Sequence, residues 1–325
     1  MLENIAFEIT EADIAGAGAG AARRLDKIIG ARFPTSTRAL IAEAFAAGAA
    51  LCDGAPRKKS FIPRCGSVVT LARLAEASDF AAAPDDAGGL SIAYEDAFFA
   101  AFDKPAGQPC QPVRPGETGT LANAIAARFP EMRAIGGAAS ARADAAALSM
   151  PGMLHRIDAG TSGLVLCAKT QEAYDFARAQ FSARTAEKTY LATVEGAVRA
   201  SGGVSGYLAH NTSFRGKMRP VSGAALPRGE RAMFAETFYK PLETRGGKTL
   251  LEVRIFTGVT HQIRCQLASI GRPVAGDILY GANTKLNGAF GDYHLLRSWK
   301  ISFEHPATRK RITIEVEGNS EWGII

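Results

Sequence analysis

The sequence predicts an α+β protein in which a mixed, largely antiparallel sheet is flanked by helices and preceded by a small basic α/β module. Two observations predict this division. From residue 92 onward, β-rich stretches such as GLVLCAKT, TYLATVEG, TLLEVRIFTG and KISFEH alternate with helical stretches at 171–184 and 261–269. Residues 21–65 instead hold nine basic and three acidic side chains, an excess equal to the net charge of +6 of the whole chain.

The composition is that of a globular protein. Hydrophobic residues make up 47% and charged residues 22% of the chain. No uninterrupted apolar stretch reaches the ~20 residues that a membrane helix requires, and the acidic N-terminus lacks the features of a signal peptide. The five cysteines are widely spaced and form no CxxC pair, which argues against a disulfide framework or a zinc site. We therefore expect a cytoplasmic protein that binds neither a metal nor a membrane.

Residues 21–74 are predicted to form two short helices and a small sheet. Apolar residues at 25–29 and 40–45 follow helical spacing, and Thr35 or Ser36 would cap the second helix. An Asp-Gly hairpin turn and the strand GSVVTLARL follow this helix.

The segments on either side of this module lack hydrophobic periodicity. AGAGAGAA precedes it, so we expect residues 1–20 to be a flexible amino-terminal segment. AEASDFAAAPDDAGG follows it and is rich in Ala, Asp and Gly, which is typical of a linker. The predicted organisation is therefore a module over 21–74, a linker over 75–90 and one large domain over 91–325.

The basic side chains of the module are candidates for contact with a polyanion, and a merely solvated basic face is the alternative. The pattern RRLDKIIGARFPTSTRALIAEAFAAGAALCDG resembles the S-four-type RNA-binding module, which is named after a ribosomal protein. This resemblance implies that the module binds RNA. The contacts would come from Arg23, Arg24, Lys27, Arg38, Arg57, Lys58 and Lys59.

The segment HRIDAGTSG, residues 155–163, carries the first candidate for a chemical role. Asp158 follows two basic residues and precedes a tight turn, after which the strand LVLCAK begins. A loop carboxylate at a strand edge is a frequent active-site arrangement, although an aspartate that caps a turn or forms a structural ion pair is an open alternative. EKTYLATVEG supplies Tyr190 as a second candidate, and TGVTHQIRCQLASIG supplies Arg264 on a helix that Thr260 would cap.

In order and spacing these segments, together with GRPVAGDILYGA and IAYEDAFFAAFDKPAGQP, resemble the RluA-type pseudouridine synthases. Members of that family isomerise uridines in ribosomal or transfer RNA, and the resemblance covers about residues 90–310. It implies the pseudouridine synthase fold and an RNA partner, which we expect to be large-subunit ribosomal RNA. The isomerisation gains and loses no atom, so we expect no cofactor, and we expect a monomer. A synthase for transfer RNA and a non-catalytic RNA-binding or ribosome-assembly factor on the same fold are the alternatives.

The resemblance also implies a role for each candidate residue. Asp158 would act on the sugar, either as a nucleophile or through a glycal intermediate, and Arg264 would pair with it. Tyr190 would stack on the base or take the proton from its carbon 5. The target base must leave its stack to be reached, and Arg156 would fill the vacated space. His155 would be structural, or would contact the RNA backbone or a phosphate.

Two further segments hold polar residues of interest. HNTSFRGKMRP, residues 210–220, places Arg215 and Lys217 in a loop that would grip RNA, and an ordinary surface loop is the alternative. Asp277 belongs to a Gly-Asp-x-x-Tyr-Gly segment and is expected to shape that turn rather than take part in the chemistry.

Three positions depart from the family pattern. Val259 stands where the family usually has the first arginine of Thr-Gly-Arg-Thr-His-Gln-Ile-Arg. Asp103 stands where an asparagine usually precedes Lys-Pro, and Arg297 replaces the histidine of a Leu-His-Ala element. These positions normally support RNA contacts and packing around the site, so we expect the substitutions to affect efficiency and substrate choice.

Overall fold

The computed structural model describes residues 1–15, 24–87, 89–136, 149–211, 214, 216–222, 231–282 and 293–317. These residues form two compact units. The amino-terminal unit comprises the described residues of Met1–Ala83, Pro112–Thr118 and Gly137–Met150. The carboxy-terminal unit comprises the described residues of Pro84–Gln111, Gly119–Gly136 and Pro151–Ile325. No helix in the described parts of the chain is both long and apolar enough to cross a membrane.

The amino-terminal unit contains a four-stranded antiparallel sheet and three short helices. Its strands are β1 (Leu2–Glu8), β2 (Ala50–Cys52), β3 (Ala55–Pro56) and β4 (Val68–Leu74), and its helices are α1 (Glu11–Ala15), α2 (Leu25–Arg32) and α3 (Arg38–Ala46). The strand order is β1-β4-β2-β3. The hairpin between β2 and β3 turns at Asp53 and Gly54, whose φ angles of 53° and 71° suit a tight two-residue turn. The predicted hairpin is therefore present.

Helix α3 is capped by a residue other than the two predicted. The Thr37 hydroxyl accepts a hydrogen bond from the Leu40 N–H, which makes Thr37 the N-cap. Thr35 and Ser36 use their hydroxyls elsewhere: Ser36 donates to the carbonyl of Ala75 at 2.9 Å, and Thr35 donates to a glutamate carboxylate. The sequence offers three consecutive capping residues, and these tertiary contacts decide among them.

The prediction of a flexible segment over residues 1–20 is wrong for β1. This strand pairs with β4 at each end, from Leu2 to Glu3 and from Ile5 to Glu8, and Ile5 and Phe7 pack against the core of the unit. The alternation in LENIAFE is a strand signal once a partner strand is available. Residues 16–20 lie outside the described part of the chain.

The boundaries predicted for the linker, 75–90, and for the large domain, 91–325, also differ from the boundaries of the compact units. A 3-10 turn at Ala77–Phe80 lies within the predicted linker, and the amino-terminal unit extends to Ala83. Pro112–Thr118 belongs to the same unit, and the Gly116 N–H donates to the carbonyl of Asp79 at 3.0 Å. The residues on either side of Pro112–Thr118 belong to the other unit. So short a segment has no hydrophobic periodicity that would assign it to one unit or the other.

The carboxy-terminal unit is built on a ten-stranded sheet. Its strands are β5 (Ile92–Glu95), β6 (Phe99–Lys104), β7 (Ser162–Ala168), β8 (Glu187–Glu195), β9 (Gly202–His210), β10 (Met218–Val221), β11 (Ala232–Arg245), β12 (Lys248–Ile255), β13 (Leu296–Glu304) and β14 (Arg311–Glu315). The strand order is β10-β9-β11-β12-β8-β13-β7-β6-β5, with β14 beside β13. Only β13 and β7 pair in parallel among the described strands. The prediction of a mixed, largely antiparallel sheet is confirmed.

In the described part of this unit, three helices and two 3-10 turns accompany the sheet. The helices are α4 (Leu121–Arg128), α5 (Gln171–Ser182) and α6 (Gln262–Ser269), and the 3-10 turns are Pro130–Ala134 and Ile278–Tyr280. Helix α6 packs on β9, β10 and β11 through a buried cluster that includes Leu208, Ala235 and Cys265. Ala235 and Leu208 point to the same face of the sheet because strand side chains alternate. This packing holds α6 on the strands at one end of the sheet.

Candidate active site

Arg264 lies between two carboxylates. Its Nη1 donates a hydrogen bond to Oδ2 of Asp158 at 2.8 Å. Its Nε and Nη2 donate to the two oxygens of Asp277 at 2.6 and 3.0 Å. The side chain of Asp277 is 1% exposed, that of Arg264 8% and that of Asp158 26%. The guanidinium therefore joins a buried carboxylate to one that solvent can reach.

Asp277 does more than the turn-shaping role predicted from the sequence. Its backbone carbonyl does accept hydrogen bonds from the N–H groups of Tyr280 and Ala282. Its side chain, however, holds Arg264 in one plane by a bidentate contact. Burial lowers the pKa of Arg264, but the hydrogen bond to Asp277 and the charge of Asp158 outweigh burial and raise this pKa. The arginine therefore stays charged, and Asp277 is a site residue that the sequence reasoning missed.

Lys104 holds the loop that carries Asp158. Its ammonium is fully buried and donates hydrogen bonds to the carbonyls of Pro105 and Gln108, each at 2.8 Å, and of Ala159 at 3.1 Å. Burial lowers the pKa of Lys104 to about 8. All three N–H groups of the ammonium donate to backbone carbonyls. Lys104 therefore holds Ala159, the residue after Asp158, in place. The Lys-Pro-x-Gly element was the sequence signal for this residue, but it indicated no role.

The turn after Asp158 is fixed by tight contacts. The Thr161 N–H donates to the carbonyl of Asp158 at 3.0 Å, and the Thr161 hydroxyl lies 2.8 Å from Nε2 of His294. Burial lowers the pKa of His294 to about 4, so its ring is neutral. Gly163 has a φ of +101°, and a Cβ there would lie 2.1 Å from the carbonyl oxygen of Ser298. Only glycine allows β7 and β13 to approach this closely.

Tyr190 lies on β8 opposite Ser298 of β13 and Val253 of β12. Its side chain is 6% exposed. Burial raises the pKa of Tyr190, the Ser298 hydroxyl lowers it, and the nearby charge of Asp158 raises it further. Tyr190 is therefore an uncharged phenol close to Asp158. The structure brings together all three residues that the sequence nominated for the chemistry, Asp158, Tyr190 and Arg264.

His261, rather than the predicted Thr260, is the N-cap of α6. It has left-handed backbone angles of 52° and 22° and makes no side-chain capping bond. Its Nδ1 lies 3.0 Å from the Tyr280 hydroxyl, and its Nε2 lies 3.8 Å from Oδ2 of Asp158. Nζ of Lys217 lies 5.2 Å from the centre of the Tyr280 ring. Lys217, predicted only as part of an RNA-gripping loop, is thus close to the site.

Residues 99–269 match the RNA pseudouridylate synthase family. The chain belongs to this family. The chain is 34% identical over 266 residues to the ribosomal large subunit pseudouridine synthase D of Xanthomonas campestris, with 82% of the chain and 73% of the relative covered. The identity to the protein of the same name from Pseudomonas aeruginosa is 31% over 303 residues, covering 90% of the chain and 88% of the relative.

An uncharacterized RNA pseudouridine synthase of Aquifex aeolicus is 31% identical over 306 residues, and the match covers 92% of the chain and 91% of the relative. Among solved structures, human RNA pseudouridylate synthase domain containing 1 superposes with a TM-score of 0.52 at 21% identity, covering 72% of the chain and 85% of that structure. Human RNA pseudouridylate synthase domain containing 4 superposes with a TM-score of 0.50 at 18% identity, covering 71% of the chain and 90% of that structure. These structures share the pseudouridine synthase fold, as predicted.

Two residues of the family's His-Arg-x-Asp element differ in environment. Arg156 is exposed, and its Nη1 donates to Oε1 of Gln111 at 3.2 Å. The His155 ring stacks on Phe181 at 5.6 Å, and its Nε2 accepts a hydrogen bond from the Leu166 N–H at 3.0 Å. Burial lowers the pKa of His155 to about 3. The neutral, engaged ring favours the structural alternative for His155 over a phosphate contact.

The predicted basic residues of the amino-terminal unit divide into paired and unpaired groups. Arg24 is half-buried and makes a bidentate contact with Asp26 at 3.0 and 2.7 Å. Arg57 is exposed and lies 4.8 Å over the ring of Phe61. Three lysines and one arginine are exposed: Lys27, Lys58, Lys59 and Arg38. Arg23 and Arg215 lie outside the described residues.

Two of the three departures from the family pattern contact each other. Nη2 of Arg297 donates to Oδ2 of Asp103 at 2.7 Å, and its Nη1 lies 3.4 Å from the Ser162 hydroxyl. An acid and a base therefore occupy the positions where the family usually has an asparagine and a histidine. Val259 packs against the buried cluster under α6. The Asp103 and Arg297 substitutions thus compensate each other electrostatically.

Proposed function

We propose that the chain converts a uridine of large-subunit ribosomal RNA into pseudouridine, with Asp158 as the carboxylate that acts on the sugar. The arrangement around Asp158 is the main support. Arg264 holds Oδ2 of Asp158, whereas Oδ1 receives no hydrogen bond from any described residue. The side chain is also the most accessible of the three charged groups that contact one another here. One oxygen is fixed, and the other is free to approach a substrate.

The reaction needs a carboxylate at the sugar carbon that bears the base. The bond from this carbon to nitrogen 1 breaks, and its electron pair leaves with the uracil. The uracil then rotates and forms a new bond through its carbon 5, the proton on carbon 5 leaves, and nitrogen 1 gains a proton. Asp158 either bonds to the sugar carbon directly or removes a sugar proton to give a glycal. Both routes use the same free oxygen.

Tyr190 is assigned to stacking on the target uracil. The charge of Asp158 acts on the Tyr190 hydroxyl, and burial keeps this hydroxyl protonated by raising its pKa. A protonated phenol is a poor acceptor for the carbon 5 proton, whereas its ring can still hold a detached base by stacking. The sequence left both roles open, and the electrostatic surroundings favour the first.

RNA contacts are assigned to exposed basic side chains. Arg156 lies two residues before Asp158 and is exposed, which suits a residue that fills the space left by a flipped base. The exposed Lys27, Arg38, Lys58 and Lys59 of the amino-terminal unit suit contact with phosphates. The ribosomal substrate is inferred from the names of the relatives in Xanthomonas and Pseudomonas.

We assign the protein to the cytoplasm and to a monomeric state. All five cysteines are free, which suits a reducing compartment. The assignment of the monomer rests on the expectation that one chain carries the whole set of Asp158, Tyr190 and Arg264.

Mapping pseudouridines in cells with and without the gene tests the proposal. Carbodiimide primer extension should show that one or more stops in large-subunit ribosomal RNA disappear without the gene. Wild-type protein should restore them, and Asp158→Asn should not. Loss of stops only in transfer RNA would overturn the ribosomal assignment, and an unchanged pattern in both RNAs would favour a non-catalytic factor.

A further inference from the structure

His261 lies between the Tyr280 hydroxyl and the Asp158 carboxylate. Its Nδ1 is within hydrogen-bond distance of the hydroxyl at 3.0 Å. Its Nε2 is 3.8 Å from Oδ2 of Asp158, which is too long for a hydrogen bond. Among the described residues Nε2 has no hydrogen-bond partner. This nitrogen therefore lies near the Asp158 carboxylate without being used by any described residue.

The hydrogen bonds of Tyr280 decide which nitrogen of His261 carries the proton. The Met218 N–H donates to the Tyr280 hydroxyl oxygen at 2.8 Å. The hydroxyl proton then needs an acceptor, because Tyr280 is 9% exposed and buried polar groups are as a rule hydrogen-bonded. Nδ1 of His261 is the acceptor that the described residues offer. A neutral imidazole that accepts at Nδ1 carries its proton on Nε2.

The surroundings keep His261 neutral and Tyr280 in place. Burial lowers the pKa of His261, and this effect outweighs the charge of Asp158, which raises it. The two rings meet edge to face at 5.7 Å. The guanidinium carbon of Arg264 and Nζ of Lys217 each lie 5.2 Å from the centre of the Tyr280 ring. The orientation of the Nε2–H group is therefore set before any substrate arrives.

We propose that His261 is a catalytic hydrogen-bond donor whose Nε2–H binds an acceptor oxygen of the target nucleotide beside Asp158, and that Tyr280 is the positioning residue that fixes its tautomer. The inference rests on the proposed function, because it needs a nucleotide at Asp158. The uracil that leaves the sugar carries the electron pair of the broken bond. A donor that is oriented before the reaction stabilises such developing charge.

Two substitutions of His261 separate this role from a structural one. His261 has a left-handed backbone, which asparagine adopts more readily than most residues. His261→Asn places an amide oxygen near the position of Nδ1, where it can accept from Tyr280, but leaves no atom near Nε2. His261→Gln extends an N–H group toward the position of Nε2. A structural residue would tolerate asparagine better, and a donor would tolerate glutamine better.

Turnover is measured with the full-length chain as tritium release from carbon 5 of uridine, on transcripts of large-subunit ribosomal RNA and of transfer RNA. We expect His261→Asn to lower kcat by about 100-fold, the order of effect when one donor to a developing charge is removed. We expect His261→Gln to recover about tenfold of this loss. Tyr280→Phe should lower kcat by roughly three- to tenfold, in line with the loss of one neutral hydrogen bond. Tyr207→Phe, which removes an exposed hydroxyl on β9, is the matched control and should change nothing.

Side-chain nitrogen NMR of the free protein provides a second readout that needs no substrate. The His261 signal, identified by its absence in His261→Asn, should show a neutral ring protonated at Nε2, and Tyr280→Phe should weaken this preference. A ring protonated at Nδ1 would overturn the inference, as would glutamine that is no more active than asparagine. If the wild type modifies neither RNA, the proposed function fails, and the NMR result still decides the tautomer.

Discussion

Asp277 binds Arg264 through both carboxylate oxygens, at 2.6 and 3.0 Å, from a position that solvent does not reach. Nη1 of the arginine donates to Asp158, the carboxylate that we propose acts on the substrate. The orientation of the proposed catalytic carboxylate therefore depends on a second carboxylate 13 residues beyond the arginine. The ion pair between Asp277 and Arg264 should also contribute to the free energy of unfolding, which can be measured.

Asp277→Asn should destabilise the protein by about 3 kcal/mol, because it removes the buried carboxylate of the ion pair and leaves the buried charge of Arg264 with the partly exposed Asp158 alone. Asp26→Asn is the matched control, since Asp26 makes the same two-point contact with Arg24 near the surface. An exposed pair contributes only about 0–1 kcal/mol. The free energies of unfolding come from urea titrations. Equal losses in the two variants would contradict the buried role of Asp277.

The pair formed by Asp103 and Arg297 should behave as a coupled substitution. Asp103→Asn alone leaves the largely buried Arg297 without its carboxylate, and Arg297→His alone leaves Asp103 without its cation. The double variant restores the pair of residues that the family usually has. We expect a coupling free energy of about 1–2 kcal/mol in a double-mutant cycle of unfolding. Strictly additive losses would show that the two departures are independent.

Exposed basic residues of the amino-terminal unit should set the salt dependence of RNA binding. Lys58→Ala and Lys59→Ala together should make the slope of log affinity against log salt shallower, by about 0.7–0.9 for each phosphate that the protein no longer neutralises. Arg24→Ala should change the slope less, because Arg24 is already paired with Asp26. Filter binding at several salt concentrations measures this slope. If the slope is the same in the lysine variant and the wild type, Lys58 and Lys59 do not contact RNA phosphates and only face solvent.

Arg156→Ala should impair the reaction according to the structure of the RNA. A residue that fills the space of a flipped base matters most where unstacking is costly. We therefore expect a larger loss of turnover on a folded target than on an unstructured oligonucleotide that contains the same uridine. Single-turnover rates on both substrates provide the measurement. Equal losses on the two RNAs would rule out the wedge.

The sequence predicted those elements whose signals are local. Strands β7, β8, β12 and β13 are rich in β-branched, aromatic and other apolar residues, and α5 and α6 have helical spacing, so each could be located from its own residues. Strand β9 reads GGVSGYLAH, and its three glycines weaken any strand signal. It forms because β10 and β11 pair with it on either side. Strand β1 likewise depends on β4, which lies more than 50 residues further along the chain.

The site residues likewise fall into those that local sequence could nominate and those that it could not. Asp158, Tyr190 and Arg264 stand in recognisable segments, so the sequence could nominate them. Asp277 could not be paired with Arg264, because a Gly-Asp-x-x-Tyr-Gly turn explains an aspartate without any partner. The contact between Asp103 and Arg297 joins residues 194 apart, and the donor geometry of His261 depends on two hydrogen bonds of Tyr280 at once. Such pairings exist only in the folded chain.

The most direct test of the central claim is the turnover of Asp158→Asn. Asparagine preserves the size of the side chain and can still accept a hydrogen bond from Arg264, but it cannot act on the sugar as a carboxylate. Tritium release from carbon 5 of uridine should fall below detection, while the free energy of unfolding and the RNA affinity stay close to those of the wild type. Turnover near the wild-type rate would contradict the assignment of Asp158 as the reacting group.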